Sequence, residues 1–239
     1  MLRKMIARVR LRVLNRTFDN KDYLDAYATS TDLKAQIDPK MAIGGIWDEM
    51  GKHQFEFLRS QGLERAHCLL DIGCGSLRGG QHFIEYLEAD NYCGFDLSEQ
   101  VIKEGRQLIE KKGLTSKRPD LRVNVQKTLN FDFVSDRKFD YILAQSVFSH
   151  LLPEHIEECF TNIRKVMREG SRFYFTFHPG KKGRRRSKTD IEYPATFFEG
   201  LAEKHGFEIC DLSALYRHPR GQRMYCIFSA DRQNRPQTA

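Results

Sequence analysis

LLDIGCGSLRGG, residues 69 to 80, decides the fold of this 239-residue chain. Leu69 to Ile72 is a short apolar run of the kind that forms a buried strand. Gly73 and Gly75 follow at once. Glycine permits positive φ, so the backbone can turn sharply and a ligand can approach it without meeting a Cβ. The spacing predicts a helix opening near Ser76. In open sheets built from strand–helix–strand units, ligands bind at such turns, at the carboxyl ends of strands.

Outward from this turn the same alternation recurs. Strands are expected at His67 to Ile72, Tyr92 to Asp96, Leu121 to Val125, Phe139 to Ala144, Arg172 to Phe177, Phe207 to Leu212 and Met224 to Ser229. Helical periodicity fills Ser76 to Leu87, Ser98 to Lys112, Glu154 to Arg168 and Phe197 to His205. Strands alternating with helices of about 10–15 residues make βαβ units. The fold class is therefore α/β: a doubly wound, Rossmann-like, seven-stranded and mostly parallel sheet with helices on both faces. The last two strands lack a helix between them, which predicts an antiparallel C-terminal strand. Upstream, Ile46 to Gln61 reads as a helix ended by Gly62, after a break at Gly44-Gly45. The expected division is an N-terminal basic helix and lid segment at 1–42, a catalytic domain at 43–230 and a tail at 231–239.

The second strand ends in Asp96, 21 residues beyond Gly75. An acid there can accept both hydroxyls of an adenosine ribose. A dinucleotide fingerprint G-x-G-x-x-G would need glycine at position 78, which is Arg78. Asp71 stands immediately before the turn, a poor neighbour for a pyrophosphate but a good one for a cationic amine and sulfonium. These residues point to S-adenosylmethionine as cofactor rather than a nicotinamide dinucleotide.

The sequence from about Ile43 to Ser229 resembles the class I S-adenosylmethionine-dependent methyltransferases. Asp71-Ile72-Gly73-Cys74-Gly75 resembles their first motif and Asp96 their ribose-binding acid; Phe139 to Leu151 looks like their fourth strand and the loop beside the reacting methyl. The family's frequent third glycine is Leu77 here. The resemblance implies that Asp71, Gly73, Cys74 and Gly75 line the methionine part, that Asp96 holds the ribose and that Leu97 packs on adenine. It further implies that Asn130 and Phe131 contact the adenine edge, and that Gln145 and Ser146 lie near the methionine.

Methyl transfer to a hydroxyl needs a base, most often a histidine. His150 follows the fourth strand and His178 the fifth, so both are catalytic candidates; each also has a plain role, as a cap before Pro153 or as a loop residue before Pro179. The turn after the fourth strand is Gln145-Ser146-Val147-Phe148. It lacks the Asp/Asn-Pro-Pro-aromatic pattern of base-amino methyltransferases and the Pro-Cys pair of cytosine chemistry. The expected acceptor is a small molecule, with oxygen favoured over nitrogen and a sugar or secondary metabolite as its type. Two other readings stay open: an RNA methyltransferase using the basic loop at 181–188, and a non-catalytic cofactor-binding module recruited to a membrane or partner.

Charge is localised. The net charge is +7, yet residues 1–16 hold six basic side chains and no acid, and Lys181 to Lys188 hold six more; without these twelve the rest carries −5. Such segments suit an acidic or phosphorylated acceptor, or an anionic membrane surface met by residues 1–16, better than a nucleic-acid groove spread along one face. Leu2, Met5, Ile6, Val9 and Val13 fall on one face of that helix. No run approaches the roughly 18–20 apolar residues that span a bilayer. Six singly spaced cysteines suit a reducing, cytoplasmic setting and make a metal site unexpected.

Overall fold

The computed structural model describes residues 2–17, 23–42, 44–181, 184–229 and 236. Ile43, where the catalytic domain is expected to begin, Lys182 of the basic loop and all of the tail except Pro236 lie outside the described residues. Among the described residues the helices are α1 (Leu2–Thr17), α2 (Tyr23–Ile37), α3 (Pro39–Ala42), α4 (Trp47–Ser60), α5 (Gly80–Tyr86), α6 (Glu99–Lys111), α7 (Pro153–Asn162) and α8 (Ala195–Lys204). The strands are β1 (Leu69–Ile72), β2 (Tyr92–Asp96), β3 (Asp120–Val123), β4 (Phe139–Ala144), β5 (Met167–Pro179), β6 (Arg184–Arg185), β7 (Ile191–Tyr193), β8 (Glu208–Asp211) and β9 (Arg223–Phe228). Strands are mostly parallel and the fold is Rossmann-like, with an antiparallel C-terminal strand. The chain divides into two compact units, Met1–Phe55 with Gly73–Lys127 and Glu56–Ile72 with Thr128–Ala239.

In the first unit β2 and β3 pair in parallel, Cys93 opposite Asp120 through Asp96 opposite Val123. Here the expected helix from Ser76 starts late. Leu77, in place of a glycine, stands at φ +66° and is fully buried. The left-handed conformation costs an L-residue roughly 1–2 kcal/mol, while burying a leucine side chain returns about 1.5–3 kcal/mol, so burial wins. The helix cannot run through such a residue, and α5 begins at Gly80. Two glycines make the room. A Cβ on Gly80 would stand 2.7 Å from Leu77 Cδ2, and one on Gly105 3.0 Å from Leu77 Cγ. The polar, Tyr-containing stretch before Pro39 forms α2, which packs against α6 and α1.

In the second unit β1 pairs with β4 and β4 with β5, all parallel. β9 runs antiparallel to β5, and β8 antiparallel to β9. The two-residue side-chain period of β5 separates two environments. Phe173, Phe175 and Phe177 share one face and are fully buried with Phe148 and Phe160 and Phe198. Phe177 and Phe198 have ring centroids 4.4 Å apart. Tyr174, Thr176 and His178 occupy the other face. Beyond the seven expected strands, β6 and β7 form an antiparallel pair inside the basic loop, Arg184 opposite Glu192 and Arg185 opposite Ile191, and β7 extends the sheet beside the end of β5.

Candidate functional site

The first unit supplies a turn and a carboxylate. Gly73 and Gly75 stand at φ +67° and +56°, the region an L side chain avoids. Cys74 is buried, and its N–H donates to Phe95 O at 3.0 Å, tying the turn to β2. Gly75 N–H donates to Asp96 Oδ2 and Ser98 N–H to Asp96 Oδ1, each at 3.0 Å. Both carboxylate oxygens are thus aimed by backbone before any ligand arrives. Burial pushes the Asp96 carboxyl up to about 6, and the Asp32 charge adds to that push, while the N–H bonds from Ser98, Gly75 and Leu97 pull it back. Leu97, beside it, is half-buried.

Asp32 of α2 was not legible as a site residue. Ser98 Oγ donates to its carboxylate, and Gln100 N–H donates to Asp32 Oδ1 at 3.2 Å. Ser98 Oγ also accepts from Val101 N–H at 3.2 Å, capping α6. An N-terminal helix therefore holds the residue that aims Asp96. In the same unit Arg78 Nη1 donates to Gly45 O at 2.9 Å, anchoring the Gly44-Gly45 break.

The second unit supplies a buried polar cluster at the carboxyl ends of β4 and β5. Asp71, at the end of β1, is buried and lies in register with Leu143 of β4. Ser146 stands at φ +59°, a strained position for a non-glycine residue. Its N–H donates to Thr176 Oγ1 at 2.7 Å. Thr176 Oγ1 donates to Gln222 Oε1 at 2.6 Å and Ser146 Oγ donates to the same oxygen at 3.1 Å. Tyr216 OH donates to Gln145 Oε1 at 3.0 Å. Gln145 and Ser146 are thus joined to Thr176, Gln222 and Tyr216. Of these partners Thr176 alone had a signal, its alternation with His178 along β5; Gln222 and Tyr216 are brought in from some 70 residues away, 71 for Tyr216 and Gln145.

The two histidines differ. His178 Nδ1 faces Arg186 Nη1 at 3.0 Å. A guanidinium can only donate, so Nδ1 accepts, and Nε2 lies 3.4 Å from the amide nitrogen of Gln222. Burial lowers the His178 pKa and the Arg186 charge lowers it further. His150 Nδ1 lies 2.7 Å from Thr189 O. A carbonyl can only accept, so here Nδ1 carries the proton and Nε2 the lone pair. Asp190 Oδ1 stands 3.4 Å from the same nitrogen. His150 turns a protonated Nδ1 to Thr189 and Asp190, whereas His178 Nδ1 accepts from Arg186.

The basic loop is neither a uniformly solvated run nor a free patch. Arg184 Nε and Nη2 donate to the two oxygens of buried Glu192 at 2.6 and 2.8 Å. The Arg184 bonds hold the Glu192 carboxyl below its usual range despite its desolvation. All three of the loop's arginines thus have internal partners: Arg184 binds Glu192, Arg186 faces His178, and Arg185 donates to Lys188 O. Asn130 and Phe131 stand in the loop after β3. Asn130 Oδ1 accepts from Asp132 N–H at 3.0 Å, and Phe131 is fully buried at φ +60°. Among the described residues no group of three or more His, Cys, Asp or Glu side chains is arranged to hold a metal ion. All six cysteines are free.

Residues 70–173 match the family model of a methyltransferase domain. The matched stretch runs from β1 into β5. The fold is similar to that of an S-adenosylmethionine-dependent methyltransferase from Clostridium acetobutylicum, with TM-score 0.61, 13% identity, and coverage of 83% of this chain and 98% of that one. It is also similar to magnesium protoporphyrin IX methyltransferase from Synechocystis with bound SAM, with TM-score 0.58, 15% identity, and coverage of 76% and 79%. A [4+2]-cyclase, SpnF, is likewise similar, with TM-score 0.58, 13% identity, and coverage of 74% and 78%. One fold thus carries more than one chemistry, and the site must argue the reaction.

Proposed function

We propose that this protein methylates a hydroxyl of a small molecule, using S-adenosylmethionine, with His150 as general base. The observation that carries the cofactor half is Asp96, both of whose oxygens are aimed by the backbone N–H groups of Gly75 and Ser98. An ionised carboxylate so held accepts the ribose hydroxyls. The glycine turn at 73–75 fits the group, since two left-handed glycines leave the backbone approachable. In the first unit Gly73, Cys74 and Gly75 serve the methionine end and Leu97 covers adenine; in the second, Asp71, Gln145 and Ser146 serve the methionine end, and Asn130 and the backbone of Phe131 serve the adenine edge.

When bound, S-adenosylmethionine supplies a methyl made electrophilic by its sulfonium. The chain's own work is to orient and to take a proton. His150 receives the acceptor's hydroxyl proton at Nε2, and Thr189 and Asp190 stabilise the imidazolium through Nδ1–H. The network of Thr176, Gln222 and Ser146 fixes the strained turn after β4, which would border the methionine end of the bound cofactor. His178 orders the acceptor side through Arg186 and is not the base. A sugar or secondary-metabolite acceptor is supported by the absence of a base-recognition pattern after β4 and by the porphyrin named for one structural relative. Arg185 and Lys188, exposed in the loop, favour an acidic or phosphorylated one. The six free thiols suit a cytoplasmic setting.

Calorimetric binding of S-adenosylmethionine, followed by single-turnover assays against a hydroxyl-acceptor panel, tests this reading. Micromolar binding with turnover abolished in H150A supports it. Binding without turnover on any acceptor favours a cofactor-binding module, and turnover on RNA favours the nucleic-acid reading.

A further inference from the structure

Seven large apolar side chains stand exposed among the described residues, and four of them, Met5, Ile6, Val9 and Val13, lie on α1. Their exposures of 58%, 43%, 57% and 59% describe a continuous stripe rather than scattered residues. At 3.6 residues per turn they cover an arc of about 100°. The helix docks on α2 by another face: Ala7 is buried, Leu11 and Leu14 are half-buried. The mean directions of the two faces are about 150° apart. Intramolecular packing therefore satisfies one side of α1 and leaves an apolar side facing outward.

The borders of that stripe are basic. Arg8 and Arg12 flank it on one edge, Arg3 and Arg10 on the other, all exposed, with no acid in the helix. A second copy would bring like charges against one another along both edges, so self-pairing is opposed by its own electrostatics. A nucleic acid would use the arginines and leave the apolar stripe in water. An anionic lipid surface satisfies both features: side chains enter the acyl boundary while arginines meet the headgroups. Among the described residues no helix is long and apolar enough to cross a membrane, so the contact lies in the interface plane. We propose that α1 is an interfacial helix that seats the protein on an anionic membrane surface.

The test uses the full chain and vesicles of phosphatidylcholine alone or with about 30% phosphatidylserine, a content that gives a negative surface potential. Co-flotation is expected with the anionic vesicles and at least about tenfold weaker partitioning to the neutral ones. M5D/V9D/V13D is expected to reduce partitioning at least about tenfold with an unchanged Tm, since the altered side chains are exposed. R8Q/R12Q is expected to weaken it about fivefold per charge removed. Equal partitioning to both vesicle types overturns the proposal, as does anionic binding that survives the triple substitution. A protein that remains free of anionic vesicles overturns it too, whether monomeric, self-associated or bound to duplex DNA. The measurement needs no cofactor, so it stands or falls independently of the methyl-transfer reading.

Discussion

Replacing Asp96 by asparagine should raise the stability of the ligand-free protein while damaging its cofactor binding. The Asp96 carboxyl titrates at about 6 in the fold against 3.8 for a free side chain. A raised carboxylate pKa means that the neutral form stabilises the fold fully below about 4, and that this stabilisation is lost as pH rises through about 6. At pH 7.5 the charge therefore costs roughly 3 kcal/mol, at 1.36 kcal/mol per unit. Asparagine removes that cost but can accept from only one of the Gly75 and Ser98 N–H groups, a loss of about 1–1.5 kcal/mol. The net gain of about 1.5–2 kcal/mol corresponds to a Tm higher by roughly 3–8 °C. At pH 5 the charge costs only about half as much, so the gain largely disappears. Affinity for S-adenosylmethionine should fall about 10- to 150-fold, the value of charge-assisted hydrogen bonds to the ribose. Thermal unfolding at the two pH values and titration calorimetry measure both effects. A Tm at pH 7.5 that is unchanged or lowered in D96N refutes the buried-charge argument, and undiminished affinity refutes the ribose role.

Further predictions concern the same halves of the chain. Wild-type affinity for S-adenosylmethionine should decline as pH drops below about 6, because protonated Asp96 accepts poorly; calorimetry from pH 5 to pH 8 reads this directly. H150Q should lower single-turnover methyl transfer by about 10²–10⁴-fold, the usual worth of a general base, without altering cofactor affinity; an equal loss in H178Q with none in H150Q would reverse the assignment. D190N should give a smaller loss in kcat than H150Q with KM little changed, because Asp190 acts through the imidazole. G80A should lower Tm by several degrees, since its Cβ would press Leu77 Cδ2 at 2.7 Å and Tyr92 besides; overpacking of this kind costs about 1–3 kcal/mol.

Residues adjacent in sequence carried most of the information for the fold. Apolar runs punctuated by Gly73-Cys74-Gly75 placed β1 and the turn, and the same periodicity placed β2, β4 and β9 to within a residue or two, because strand burial is a local pattern. The antiparallel closing strand followed from a missing helix. Asp96 was legible because its distance from the turn is set by one helix and one strand. Where the sequence misled, a side chain was answered from far away. Leu77 looked like the second residue of a helix, but Gly80 and Gly105 give it a left-handed pocket, and the helix waits until Gly80. The basic loop read only as a run of charge, but Glu192 pairs with Arg184 across two short strands. Asp32 sits in a polar stretch whose helix depends on packing against α6. His150 and His178 were indistinguishable as letters after strands; Thr189 and Arg186 separate them, because a carbonyl demands a proton from imidazole and a guanidinium supplies one. Local chemistry set which groups are present, and tertiary contacts set which of them hold a proton or a charge and at which atom.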